Sequence, residues 1–142
     1  MQPINNSDNI INVGLTGVIG YERIYNELKR ILLQFENVII IDYGLAEKTY
    51  EDRIRICKLM RDDINNNYIN YAIFVCSCGL RTLANLANVG VRGYIIRDPI
   101  DYLNAFKYGY KYFIFGSSFM DNRVLTDIFA YGFPPKDPRN NK

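Results

Sequence analysis

The sequence predicts an α/β domain of three layers, with helices on both faces of a five-stranded parallel sheet. Three observations carry that expectation. Short apolar runs alternate with segments of helical period along all 142 residues. The run NVIIIDY at 37–43 is almost unbroken in β-branched residues, which predicts a strand buried on both faces. The connections are short, without linker, repeat or low-complexity block, as successive β-α units require.

Residues 10–15 read as the first strand, ending in the turn Thr16-Gly17-Val18-Ile19-Gly20. Residues 21–35 then carry Ile24, Leu28, Ile31 and Leu32, one buried helix face. After the second strand at 37–43, residues 50–64 return to helical period with Cys57, Met60 and Ile64 on one side. YAIFVC at 71–76 is the third strand, and 80–89 a helix rich in Ala and Leu. The fourth strand is 93–96. A helix at 100–108 follows Pro99, with Asp98 as its turn or cap residue. The fifth strand is 112–115 and the last helix 122–131. One domain spans 1–142, with a polar extension at 1–9 and a proline-broken tail, 132–142, expected to be loose.

This order implies right-handed crossovers and a Rossmann-like arrangement. Ligands of such folds bind at the carboxyl ends of the strands, near the point where strand order reverses. That rule singles out 16–20, 76–82, 97–99 and 116–119.

Composition narrows the chemistry. Hydrophobic residues make up 49%, which excludes overall disorder. A balance of 17 basic against 15 acidic residues, net +2, argues against a nucleic-acid groove or a membrane-binding face. No apolar run approaches the roughly 20 residues of a membrane span, and the start lacks a signal-peptide layout. A cytoplasmic protein is expected. Three cysteines, Cys57, Cys76 and Cys78, are too few for a disulfide framework. The absence of histidine removes Ser-His and Cys-His nucleophile pairs, the imidazole proton shuttle and the usual zinc site. No metal and no cofactor are expected.

The sharpest local signal is Cys76-Ser77-Cys78-Gly79, between a buried strand and a helix. Amides at a helix N-terminus can hold a phosphate or a developing oxyanion, and the same dipole would lower the pKa of Cys76 or Cys78. A thiolate there can act as a base. The plainer reading makes Cys76 a buried strand-end thiol and Ser77 the helix N-cap. The glycines of 16–20 serve a tight turn or a ligand equally well, without the dinucleotide-binding spacing. Arg81, Arg92, Arg97 and Lys107 stand near strand or helix ends, where basic residues are either phosphate ligands or solvated surface groups.

Three stretches resemble one family. Residues 72–79, Gly90-Val91-Arg92-Gly93 and 111–118 stand where ribose-5-phosphate isomerase B and the galactose-6-phosphate isomerase subunits have G-I-L-I-C-G-T-G, G-I-R-A and N-V-L-A-F-G-S-R. More loosely, residues 11–32 stand where the family has a strand, an S-D-H-x-G turn and a helix, and IIIDYG at 39–44 resembles V-x-D-x-G. The similarity covers about residues 10–131.

The resemblance implies a metal-free aldose–ketose isomerase of sugar phosphates, of the ribose-5-phosphate to ribulose-5-phosphate type. Its enediolate mechanism uses the motif cysteine to move a proton between C1 and C2. Cys76 matches that cysteine, and Ser77, Cys78 and Gly79 take the places of the oxyanion-binding loop. The family's first-loop Asp-His pair falls on Thr16 and Gly17, its second loop glycine at or near Arg81, and its ring-opening histidine near Lys107. Arg139 is the one counterpart of its C-terminal phosphate-binding arginines. These replacements make the site degenerate. The resemblance also implies a homodimer or tetramer with sites across an interface, or pairing with a related isomerase chain. Two readings stand: an isomerase with a rebuilt site, and a non-catalytic relative acting as a subunit or binding module.

Overall fold

The computed structural model describes residues 9–136. The elements are β1 (Ile11–Val18), α1 (Glu22–Leu32), β2 (Val38–Ala46), α2 (Tyr50–Asn65), β3 (Tyr71–Cys76), α3 (Leu80–Asn88), β4 (Gly93–Ile96), α4 (Pro99–Lys107), β5 (Tyr112–Gly116) and α5 (Asn122–Phe129). All strands are parallel, in the order β2-β1-β3-β5-β4. The order reverses between β1 and β3, because the chain leaves β1 for one side and later returns to pair β3 on the other.

Two cores make the three layers. On one face α1, α4 and α5 bury Leu28, Leu32, Tyr102, Phe113, Phe115 and Phe129 against the sheet. On the other, α2 and α3 bury Ile56, Met60, Phe74, Leu86 and Ile114. Alternate side chains of β3 supply both: Ile73 and Val75 go to the first core, Ala72, Phe74 and Cys76 to the second. The α/β/α sandwich expected from the sequence is therefore the one formed.

Several boundaries differ from the sequence expectation. β1 runs on to Val18, because Thr16, Gly17 and Val18 pair with Gly44, Leu45 and Ala46 past a bulge at Leu15/Thr16. Thr16 and Gly17 are thus strand residues, and the turn begins at Ile19. β2 is an edge strand, so burial on both faces is not realised: Ile39 is 46% and Ile41 36% exposed. A β-branched run suits any pleated strand, central or edge. The last helix stops at Phe129, and a short 3-10 turn occupies Ser117–Phe119.

The start of the supposed loose tail is packed. Phe133 lies in the first core, and the Tyr102 hydroxyl donates to the Gly132 carbonyl at 2.5 Å. Residues 1–8 of the polar extension and 137–142 of the tail lie outside the described residues. No helix among the described residues is long and apolar enough to cross a membrane.

Candidate functional site

The carboxyl ends of β1, β2 and β3 surround a crevice of about 490 Å3 at the point of strand reversal. Its floor is the loop from Cys76 to Gly79; Tyr21 stands on the β1–α1 side, Lys48 and Arg53 on the β2–α2 side, and Arg81 on α3. A larger groove of about 1010 Å3, flanked by Asn9 and Lys136, lies at the amino ends of the strands. It is remote from the cysteines and from the position where parallel α/β sheets place ligands, so the smaller crevice is the candidate.

Tight backbone packing shapes the floor. Gly79 takes φ 99° as the N-cap of α3, and a Cβ there would stand 3.1 Å from Ile95 and Ile114 side chains. Ser77 therefore does not cap the helix; no side chain does, which leaves the first amides of α3 without a protein acceptor at the cap. From the β5 side, the Ser118 amide donates to the Ser77 carbonyl at 2.8 Å. Gly116 lies so close beneath the loop that its Cβ would meet the Cys78 carbonyl carbon at 3.0 Å.

Cys76 ends β3 and is buried, Cys78 half-buried. Burial raises the Cys76 pKa, and the neighbouring Cys78 adds to the rise. The Thr82 hydroxyl, the Arg53 charge and the Gly79 amide pull the other way without reversing it. The helix-end lowering expected for this thiol is thus outweighed by desolvation at Cys76. Cys57, deeper in the same layer, is pushed up to about 12, again by burial.

Beneath the crevice is a small cavity of about 20 Å3, lined by Thr16, Gly17, Arg53, Cys57, Thr82 and Asn85 among others. The Thr16 hydroxyl is already committed to the Gly44 carbonyl at 2.7 Å. Gly17 is closed in by Leu45, Tyr25 and the Val75 carbonyl. The buried Asn85 Oδ1 has no hydrogen-bond partner. Arg53 lines both the cavity and the crevice, and its Nε donates to the Lys48 carbonyl at 3.3 Å.

The structure therefore brings together Cys76, Ser77, Cys78, Gly79 and Arg81 from the sequence reading. Thr16 and Gly17 lie below the open crevice, in the strand. Lys107 is exposed at the end of α4, with Nζ 6.0 Å from the Tyr108 ring, at the opposite end of the sheet. Arg139 lies outside the described residues. Asp98 caps α4 by accepting from the Asp101 amide at 2.9 Å, as expected.

Sequence reasoning passed over Lys48 and Arg53. A readable signal was present: Thr49-x-x-Asp52 marks a helix start, and the Thr49 hydroxyl accepts from the Asp52 amide at 3.2 Å. A helix beginning there puts both cations at the carboxyl end of the second strand. Five ion pairs form among the described residues, and none uses Lys48, Arg53 or Arg81. Nor do the described residues contain a group of three His, Cys, Asp or Glu side chains placed to hold a metal ion.

No family model and no curated protein matches the sequence. Solved structures match the fold. The ribose-5-phosphate isomerase B of Thermotoga maritima is 15% identical, with 84% of this chain and 83% of that one covered at a TM-score of 0.72. The ribose-5-phosphate isomerase B of Giardia lamblia is 14% identical, covering 84% and 91% at 0.69. The type B ribose 5-phosphate isomerase of Leishmania infantum is 13% identical, covering 93% and 88% at 0.71. At these identities the likeness is one of fold: the chain has the architecture of the type B ribose 5-phosphate isomerases.

Proposed function

We propose that the crevice binds a sugar phosphate and that the chain is an aldose–ketose isomerase of the ribose-5-phosphate type with a rebuilt site. The observation that carries this reading is Cys76, at the carboxyl end of a central strand and on the floor of a crevice with uncapped helix amides. In the proposed reaction the Cys76 thiolate takes the proton from C2 of the open-chain aldose. The enediolate oxygen is held by amides of the 77–79 loop, the proton returns at C1, and the O2 hydroxyl proton passes to O1.

Because burial raises the Cys76 pKa, the thiolate is scarce at neutral pH. Turnover should therefore rise steeply toward alkaline pH. The test is a coupled assay of ribose-5-phosphate to ribulose-5-phosphate conversion. Cys76→Ala should lower kcat/KM by roughly 10²–10⁴-fold, the usual contribution of a positioned base. Unchanged turnover would remove Cys76 from the mechanism.

A second reading, a non-catalytic relative that binds the sugar phosphate or pairs with a complete isomerase chain, has one observation in its favour. Among the described residues no carboxylate lines the crevice, so ring opening is left to Tyr21, Lys48 or the Ser77 and Cys78 side chains. Lys107 of the same chain is at the other end of the sheet. This reading predicts binding without turnover, and co-purification with a related chain. A pure homo-oligomer that isomerises ribose-5-phosphate would end it.

A further inference from the structure

We infer that Lys48, Arg53 and Arg81 form, within one chain, the clamp that holds the phosphate of the crevice's ligand. The inference rests on the proposal that the crevice takes a sugar phosphate, and it names the side chains that do so. The three cations come from separate segments: the β2–α2 loop, the first turns of α2 and the first turn of α3. They line one concavity of about 490 Å3 together with the Cys76–Gly79 loop.

Solvated lysines and arginines are common on any surface. These three converge on one crevice, and none of them takes part in an ion pair among the described residues. The ion pairs of the described residues engage Lys29, Arg30, Arg55, Arg61 and Arg97 instead. Lys48 Nζ lies 6.0 Å from the Tyr21 ring, and Arg53 Nε donates only to the Lys48 carbonyl.

The position of Arg81 is also unfavourable without a ligand. A positive charge in the first turn of a helix opposes the macrodipole. α1, α2 and α4 carry acids in that turn, and α5 is capped by Asp121. α3 carries Arg81 there, with no acid and no side-chain cap. Like charges gathered beside exposed amides repel one another until an anion enters. A dianionic phosphate would meet all of them at once, with the guanidinium groups as planar donors and Lys48 as a point charge. Arg53 is the half-buried member, held by its bond to the Lys48 carbonyl, while Lys48 and Arg81 are exposed and free to close on the ligand.

The test is isothermal titration calorimetry of the full chain with ribose-5-phosphate, inorganic phosphate and ribose. The two phosphates should compete for one site and weaken with salt, and ribose should not bind. Lys48→Ala and Arg81→Ala remove exposed side chains, so folding is retained; each should weaken ribose-5-phosphate by about tenfold, as expected for one charge-assisted hydrogen bond. Lys111→Ala, at the opposite end of the sheet, should change nothing. A double Lys48→Ala, Arg81→Ala variant that binds ribose-5-phosphate within twofold of the native chain would overturn the clamp, as would ribose binding as tightly as its phosphate. Phosphate binding that falls in the variants without any turnover leaves the clamp standing and ends the isomerase reading. Turnover with an unchanged KM in the double variant does the reverse.

Discussion

Gly116→Ala isolates the role of close backbone contact in shaping the crevice floor. The glycine has φ −87° and ψ 118°, which any residue adopts, so the substitution carries no conformational penalty. The obstacle is steric. The new methyl would stand 3.0 Å from the Ser77 carbonyl oxygen and the Cys78 carbonyl carbon, and 3.1 Å from the Cys78 oxygen. These are backbone atoms and can yield only if the whole loop moves.

Overpacking of this kind costs about 1–3 kcal/mol. Loss of the Ser118-to-Ser77 hydrogen bond would add about 1 kcal/mol, and the stiffer unfolded chain returns about 0.4–1 kcal/mol. The net is about 2 kcal/mol, or a fall in Tm of roughly 6–10 °C for a domain of this size. Gly93→Ala is the control. Its Cβ would come closer, 2.8 Å from Leu86 Cδ1 and 2.9 Å from Ile114 Cδ1, yet both neighbours are the ends of flexible side chains. Urea unfolding of the two variants should rank Gly116→Ala as the more damaging. Equal or greater loss at Gly93 would refute the argument that the loop backbone, rather than nearest distance, sets the cost.

Other expectations follow from burial and hydrogen bonding. Ile41→Lys, on the open edge of the sheet, should change stability by no more than about 0.5 kcal/mol, whereas Ile73→Lys, fully buried in β3, should cost more than about 4 kcal/mol in the same urea experiment. Tyr102→Phe leaves the Gly132 carbonyl without its donor and should cost about 1–2 kcal/mol, measured by thermal unfolding. The folded chain holds the Cys57 proton up to about pH 12, while the unfolded chain releases it near the ordinary value of 9.0. Stability present below pH 9 is therefore lost as pH rises through that window, and Cys57→Ala should flatten the decline in unfolding free energy measured across it.

The elements readable in the sequence were those bracketed by turn residues. Tyr71–Cys76 and Gly93–Ile96 begin and end where the apolar runs do, and Asp98 announces α4 as a cap. The loop from Cys76 to Gly79 was legible for the same reason, because it joins a clear strand to a clear helix. What could not be read was lateral order. The β-branched run of β2 carries no mark of its edge position, since β propensity reflects a pleated surface and not how many neighbours it has. Thr16 and Gly17 looked like a loop because their pairing partners, Gly44 and Leu45, lie beyond a bulge in another strand. Lys48 and Arg53 carried no mark of their own, because only the fold sets the β2–α2 loop and the start of α2 beside the Cys76–Gly79 loop.

The two cores have a consequence for motion. The layer of α1, α4 and α5 holds the interlocked aromatic rings Tyr71, Tyr102, Phe106, Phe113, Phe129 and Phe133. The layer of α2 and α3 is built mainly of aliphatic side chains, with the buried Asn85 Oδ1 unsatisfied. Local opening draws on the less densely packed unit first. Amide hydrogen exchange in α2 and α3 should then be faster than in α4 and α5, and the crevice, walled by the starts of both helices, should share that opening. A phosphate bridging the starts of these two helices would tie them together, so its arrival should register as slowed exchange along both, well beyond the residues it touches.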